Sequence, residues 1–253
     1  MNYNTESFGI SDIGLVRENN EDHWAMLATP PFFALADGMG GHNAGEIAAK
    51  EAVQTLCQKI YEHFENAPAD IYSVQEIKAH LRKTIVNTNN WIYRLALENK
   101  NLQGMGTTLC CMLLFKQHLL FANVGDSRAY RYRGRLEQLT VDHSLRQELV
   151  DKGELEQKHF HTFPQKNIIT RAIGKQSDVE PDIGVIQVQV GDIYFLCSDG
   201  LSDYVSNSEI SDIIKANGSL EKISKNLVEL AKDKGGNDNI SIVMIKIVIQ
   251  NGL

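Results

Sequence analysis

Four aspartates far apart in the chain, Asp37, Asp126, Asp199 and Asp238, each border an apolar, strand-like run where it meets glycine, serine or asparagine. A strand that ends in Asp-Gly delivers a carboxylate at a sheet edge with a backbone bend behind it. Several such ends converging in space make a cluster of hard oxygen donors, the donor type that suits divalent cations such as Mg²⁺ and Mn²⁺. Gathered carboxylates repel one another unless a cation sits among them. One Asp-Gly pair alone is an ordinary turn. Four such acids beside buried-looking runs, two of them in Asp-Gly pairs, point to a metal centre. Glu21 and Asp22 add two more acids in a polar loop; neighbours in an extended segment point opposite ways, so they do not both bind one ion directly. Asp142, His143 and Ser144 carry the residue types of a hydrolytic triad, but adjacent residues cannot line up end to end as nucleophile, base and orienter, and Ser144 reads as a helix cap.

The elements that must bring these acids together are legible as changes of period. Residues from His23 to Ala28 and from Phe32 to Asp37 read as two strands joined by Thr29-Pro30-Pro31. From Asn43 the apolar residues recur at helical spacing, and a second amphipathic helix runs from about Ser73 to Lys100. Strands follow over Thr107 to Phe115, His118 to Val124, Ser127 to Tyr132 and Arg135 to Leu139, linked by turns too short for a parallel crossover. Ile186, Val188 and Val190 alternate with glutamines, as a half-buried strand does. Asp192 to Cys197 and Ile240 to Ile249 are two more strands. Ser206 with Glu209 forms a capping box for a helix to about Ala216, and Ser219 caps another to Asp233. Segregated strands and helices indicate the α+β class.

The acids lie within a fixed order of motifs. Ser11-Asp12-Ile13-Gly14-Leu15-Val16-Arg17-Glu18-Asn19-Asn20-Glu21-Asp22 comes first, followed by Ala36-Asp37-Gly38-Met39-Gly40-Gly41-His42 and Gly104-Met105-Gly106-Thr107-Thr108. Gly125-Asp126-Ser127, Ser198-Asp199-Gly200 and Gly236-Asn237-Asp238-Asn239 complete it. This order resembles the metal-dependent PP2C (PPM) family of protein serine/threonine phosphatases, in its bacterial single-domain form, from about Ser7 to Ile249. The resemblance implies a four-layer αββα sandwich of two antiparallel sheets, spanning residues 1–253 as one domain with a flap at about 142–174. It implies a hydrolase that removes phosphate from phosphoserine and phosphothreonine through a hydroxide bridging two Mn²⁺ or Mg²⁺ ions. Asp37 then bridges the ions, Gly38 offers its carbonyl, Asp199 and Asp238 complete a shell with Glu21 or Asp22, and Asp126 holds a third ion. Arg17 is the candidate phosphate clamp, because a guanidinium presents a rigid fork of donors. Eukaryotic members have His directly after Asp-Gly; here Met39 stands there, and the proton for the leaving group comes from His42 or from metal-bound water.

Composition sets the outer bounds. At 253 residues, 43% hydrophobic and 23% charged, the chain can bury a substantial core. Lys plus Arg total 25 against 32 Asp plus Glu, a net charge of -7, which argues against nucleic acid as the main partner. The first residues show no signal-peptide pattern and no segment approaches a membrane span, so a cytoplasmic monomer is expected. Cys57, Cys110, Cys111 and Cys197 lie in apolar runs and read as core residues. The partners expected are phosphorylated proteins, among them a bacterial-type Ser/Thr kinase, in signal transduction. The alternative is a catalytically silent module that keeps the fold to bind phosphoproteins; silent relatives usually lose the metal carboxylates, and this chain keeps them.

Overall fold

The computed structural model describes residues 3–40, 44–65, 71–165, 167–216 and 218–249. In strand β3 (Pro31–Met39), Phe32, Ala34 and Ala36 face one apolar cluster while Phe33 and Leu35 face another. Side chains alternate along a strand, so one that is apolar at every position must be covered on both faces. The same division recurs in β5 (Leu109–Phe115), where Cys111 and Leu113 part from Cys110 and Met112. In β11 (Ile240–Ile249), Ile242 and Met244 part from Val243 and Ile245. Helices α1 (Ala44–Glu65) and α2 (Val74–Glu98) cover the outer face of one sheet. Helices α5 (Asn207–Lys215) and α6 (Leu220–Asp233) cover the other. The two inner faces pack on each other, which gives the αββα sandwich of the α+β class.

One sheet runs β2 (Asp22–Ala28), β3, β5, β6 (His118–Val124), β9 (Asp182–Gln187), with the short β4 (Gly106–Thr107) on β3. The other runs β1 (Tyr3–Asp12), β11, β10 (Ile193–Cys197), β7 (Arg128–Tyr132), β8 (Leu136–Gln138). Every pairing is antiparallel. The helix starts follow the serines: Ser73 with Glu76 and Ser206 with Glu209 form reciprocal capping boxes, and Ser219 caps α6. Asn43, where the first helical pattern begins, lies outside the described residues. All four cysteines are buried and unpaired. Among the described residues no helix is long and apolar enough to cross a membrane.

Three elements differ from the sequence expectation. Strand β1 was not anticipated: Asn4, Glu6, Ser7, Gly9 and Asp12 give it little intrinsic strand preference, and it forms because the apolar β11 offers a ten-residue ladder from Tyr3↔Ile249 to Asp12↔Ile240. The alternation at Ile186, Val188 and Val190 outlasts the strand, which ends at Gln187. The Asp192 carboxylate accepts from Gln189 N (2.8 Å), Tyr194 Oη (2.7 Å) and Arg133 Nε (2.6 Å), and this folds the chain into a turn. The expected strand from Thr107 is interrupted at Thr108, which donates its N–H to the carbonyl of Asp37 at 2.8 Å instead of continuing the ladder.

Leu196 is fully buried between the sheets. Leu196→Ala is expected to cost about 2–5 kcal/mol, from lost transfer energy and the cavity left behind. Urea unfolding checks this as a lowered midpoint at unchanged slope.

Candidate active site

Antiparallel pairing carries the acids to one end of the sandwich. Asp22 opens β2 directly across from Asp37 near the end of β3. In the other sheet β10 ends at Cys197, just before Asp199, beside the start of β11, just after Asp238. Ser198 ties the sheets together: its hydroxyl donates to Asp22 Oδ2 at 2.7 Å and accepts from Ser241 N at 3.0 Å. Asn239 staples the loops. Its Nδ2 donates to the carbonyls of Ile13 and Asn19, each at 3.0 Å, and its Oδ1 accepts from Glu21 N at 2.8 Å.

The result is a cavity of about 350 Å³ lined by Arg17, Glu21, Asp37, Gly38, Asp199 and Asp238, and also by Asn167 and Ile169. Asp37 is held through its backbone: its N–H donates to Thr108 Oγ1 at 2.9 Å and its carbonyl accepts from Thr107 Oγ1 at 2.8 Å. Gly38 is required by crowding, since a Cβ there would stand 2.2 Å from the carbonyl oxygen of Gly45 and 2.7 Å from that of Glu21. A Cβ on Gly200 would come within 2.0 Å of the Asn239 carbonyl oxygen. Two residues that carry Asp199 and Asp238 are thereby pressed backbone to backbone.

This proximity has an electrostatic cost. Burial, then neighbouring carboxylates, push the Asp37 and Asp199 carboxyls well above the usual range. Burial pushes Asp22 up to about 6 against hydrogen bonds from Ser241 and Ser198, and Asp126 up to about 7 with help from Asp142 and Asp203. Glu21 is raised as well, chiefly by burial. Asp22 Oδ1, Asp199 Oδ1 and both oxygens of Asp126 are buried without a hydrogen-bond partner. Buried oxygens that lack partners and repel one another fit a site for hard cations. Among the described residues no three acidic, cysteine or histidine groups already enclose a single point.

Of the residues singled out in the sequence, Glu21, Asp37, Gly38, Asp199, Asp238 and Arg17 meet in the cavity, with Asp22 buried behind them. Asp126 is 1% exposed and stands apart from the lining, although its charge acts on Asp37 and Asp199. Arg17 is half exposed and donates from Nη2 to Asp238 Oδ2 at 2.7 Å. His42 lies outside the described residues. The residues of the triad pattern go separate ways. Asp142 pairs with Arg128, His143 Nδ1 accepts from Gly125 N at 3.0 Å, and Ser144 caps α3 (Leu145–Asp151). The sequence reading missed Ser198, Thr108 and Asn239, which sit inside the quoted motifs and position the acids. It also missed Arg146 and Asp203, each four residues after an acid, Asp142 and Asp199.

A model of the protein phosphatase 2C family matches residues 16–240. This chain belongs to that family. It is 38% identical to the serine/threonine phosphatase Stp of Listeria welshimeri over 240 residues, 93% of each chain. The crystal structure of the Mycobacterium tuberculosis serine/threonine phosphatase PstP superimposes with a TM-score of 0.87 at 35% identity, covering 97% of this chain and 99% of that one. The catalytic domain of a serine threonine protein phosphatase PstP, solved with two manganese ions, gives 0.85 at 35% identity over 98% of this chain and 100% of that one.

A carboxyl whose folded pKa lies above its unfolded value of about 4 contributes stability that is complete below that value and is lost as pH climbs through the folded pKa. For Asp126 the loss runs up to about 7. Half-buried His80 and buried His143, held below their ordinary value chiefly by desolvation, bend the total curve the other way. The difference between variants isolates the carboxyl. In chelator, the melting temperature of Asp126→Asn relative to wild type should rise from about pH 5 to about pH 8. A constant difference would show that Asp126 is not strained by its surroundings.

Proposed function

We propose that the chain hydrolyses phosphoserine and phosphothreonine in proteins at this cavity, as a metal-dependent phosphatase. The observation that carries the reading is the convergence of Glu21, Asp37, Asp199 and Asp238, supplied by both sheets, on one cavity that also holds a guanidinium. Two Mn²⁺ or Mg²⁺ ions bound there would supply positive charge and lower the pKa of water enough for attack near neutral pH. Asp37, near the end of β3, would be the carboxylate common to both ions, Gly38 would offer its carbonyl, and Asp199, Asp238 and Glu21 would complete the shells. Asp22, fixed by Ser198, supports them from behind.

Arg17 reaches the cavity from the opposite chemistry. Its half-exposed guanidinium keeps donors free of Asp238 for phosphate oxygens, where it orients the substrate and balances its charge. The serine or threonine oxygen leaves on the side open to solvent and takes its proton from His42 or from water. The silent-module alternative is disfavoured, because every acid of the motif set is present. A Ser/Thr kinase among the substrates, a monomeric state, a cytoplasmic setting and a role for residues 142–174 as flap belong to the same proposal.

Hydrolysis of a phosphothreonine peptide should require Mn²⁺ or Mg²⁺ and vanish in chelator, and Asp37→Ala and Asp199→Ala should each lower kcat by several orders of magnitude. Near-normal turnover in either variant would overturn the ligand assignment. Arg17→Ala should raise KM about tenfold or more with a smaller change in kcat, and leave metal content intact. Loss of metal in that variant would instead give Arg17 a structural role.

A further inference from the structure

Below the cavity, on the Asp126 side, lies a buried cluster of charges that the phosphatase reading does not use. Arg146 on α3 is fully buried. Its Nη2 stands 2.7 Å from Asp203 Oδ1 and 3.7 Å from Asp142 Oδ2, and its Cζ lies 4.5 Å from the centre of the Phe160 ring. Asp142 is itself gripped by Arg128, through Nε at 2.9 Å and Nη2 at 2.6 Å. Asp126 feels the fields of Asp142, Asp203 and Arg146. Both of its oxygens are buried and make no hydrogen bond among the described residues, and the same is true of Arg146 Nε and Nη1.

We propose that Arg146 is a built-in cation that takes the place of a third divalent ion beside Asp126, so that the centre runs on two ions. This rests on the two-ion reading above and revises the third ion expected from the sequence. The charge count supports it. With Asp199 assigned to the two-ion centre, the remaining Asp126, Asp142 and Asp203 face Arg128 and Arg146, which leaves one net negative charge. A divalent ion added there would leave the cluster positive and buried, which is costly. Without Arg146 the cluster would carry two negative charges, which one divalent ion matches.

The test is Mn²⁺ titration of the chelator-treated full chain by calorimetry, with melting temperature measured alongside. Wild type and Asp126→Asn should both bind two ions. Arg146→Met, close in length and uncharged, should bind a third, at least about tenfold tighter than any weak third site of wild type. Arg146→Met combined with Asp126→Asn should return to two, and Arg146→Lys should stay at two. Mn²⁺ should also raise the melting temperature of Arg146→Met more than that of wild type. Three ions in wild type, with Asp126→Asn removing one, would overturn this inference while leaving the two-ion reading standing. So would an Arg146→Met protein that folds and gains no ion. If Arg146→Met does not fold, the comparison of wild type with Asp126→Asn decides alone. A wild type that binds no Mn²⁺ sinks the two-ion reading and this inference with it.

Discussion

Carboxylates crowded into a space poor in water are the constraint on which this structure turns. Asp22, Asp37, Asp126 and Asp199 all have carboxyls raised by burial first and by neighbouring carboxylates second. A fold that holds them together spends stability to do so, and that stability has to come from elsewhere. Here it comes from three apolar layers around two sheets, whose central strands are covered on both faces. The acids occupy strand ends, where the ladder stops but the backbone is still held by its last pairings.

Position alone does not fix a carboxylate, and the fold adds polar staples that are themselves satisfied. Thr108 receives the N–H of Asp37, returns its own N–H to the Asp37 carbonyl and shares a 2.7 Å hydrogen bond with Ser127. Ser198 links Asp22 to the strand that begins after Asp238. Asn239 spends all its side-chain capacity on the loops that carry Arg17 and Glu21. These contacts exclude side-chain freedom at the points where an ion or a phosphate would need fixed partners.

Much of this was legible in the sequence because it rests on local rules. Apolar runs bounded by turn residues marked β3, β5 and β11, capping serines marked the helix starts, and the junctions of strand and turn marked the acids. What escaped depends on contacts distant in sequence. Strand β1 exists only through a partner 228 to 246 positions away, in the register Asp12↔Ile240 to Tyr3↔Ile249. The short helix α4 (Asp199–Ser202), which turns Asp203 toward Arg146, has no periodic pattern because it is one turn long. Arg146 itself reads as a helix-surface residue, and only the packing of α3 beneath Phe160 and over Asp203 buries it. The sequence reading of Asp126 took no account of this arginine for the same reason.

The pairing of β1 with β11 also sets when the site can exist. During synthesis the chain emerges from its amino end, and Arg17, Glu21, Asp37 and Asp126 are all exposed to the cell long before residues 240–249 leave the ribosome. Until then the strand that flanks both β1 and β10 is missing, and nothing holds Asp238 beside Arg17. Contacts between the two ends of a chain close last, after the entropy of the long intervening loop has been met. A phosphatase built this way is inert as a nascent chain and gains its centre only once its final strand is in place.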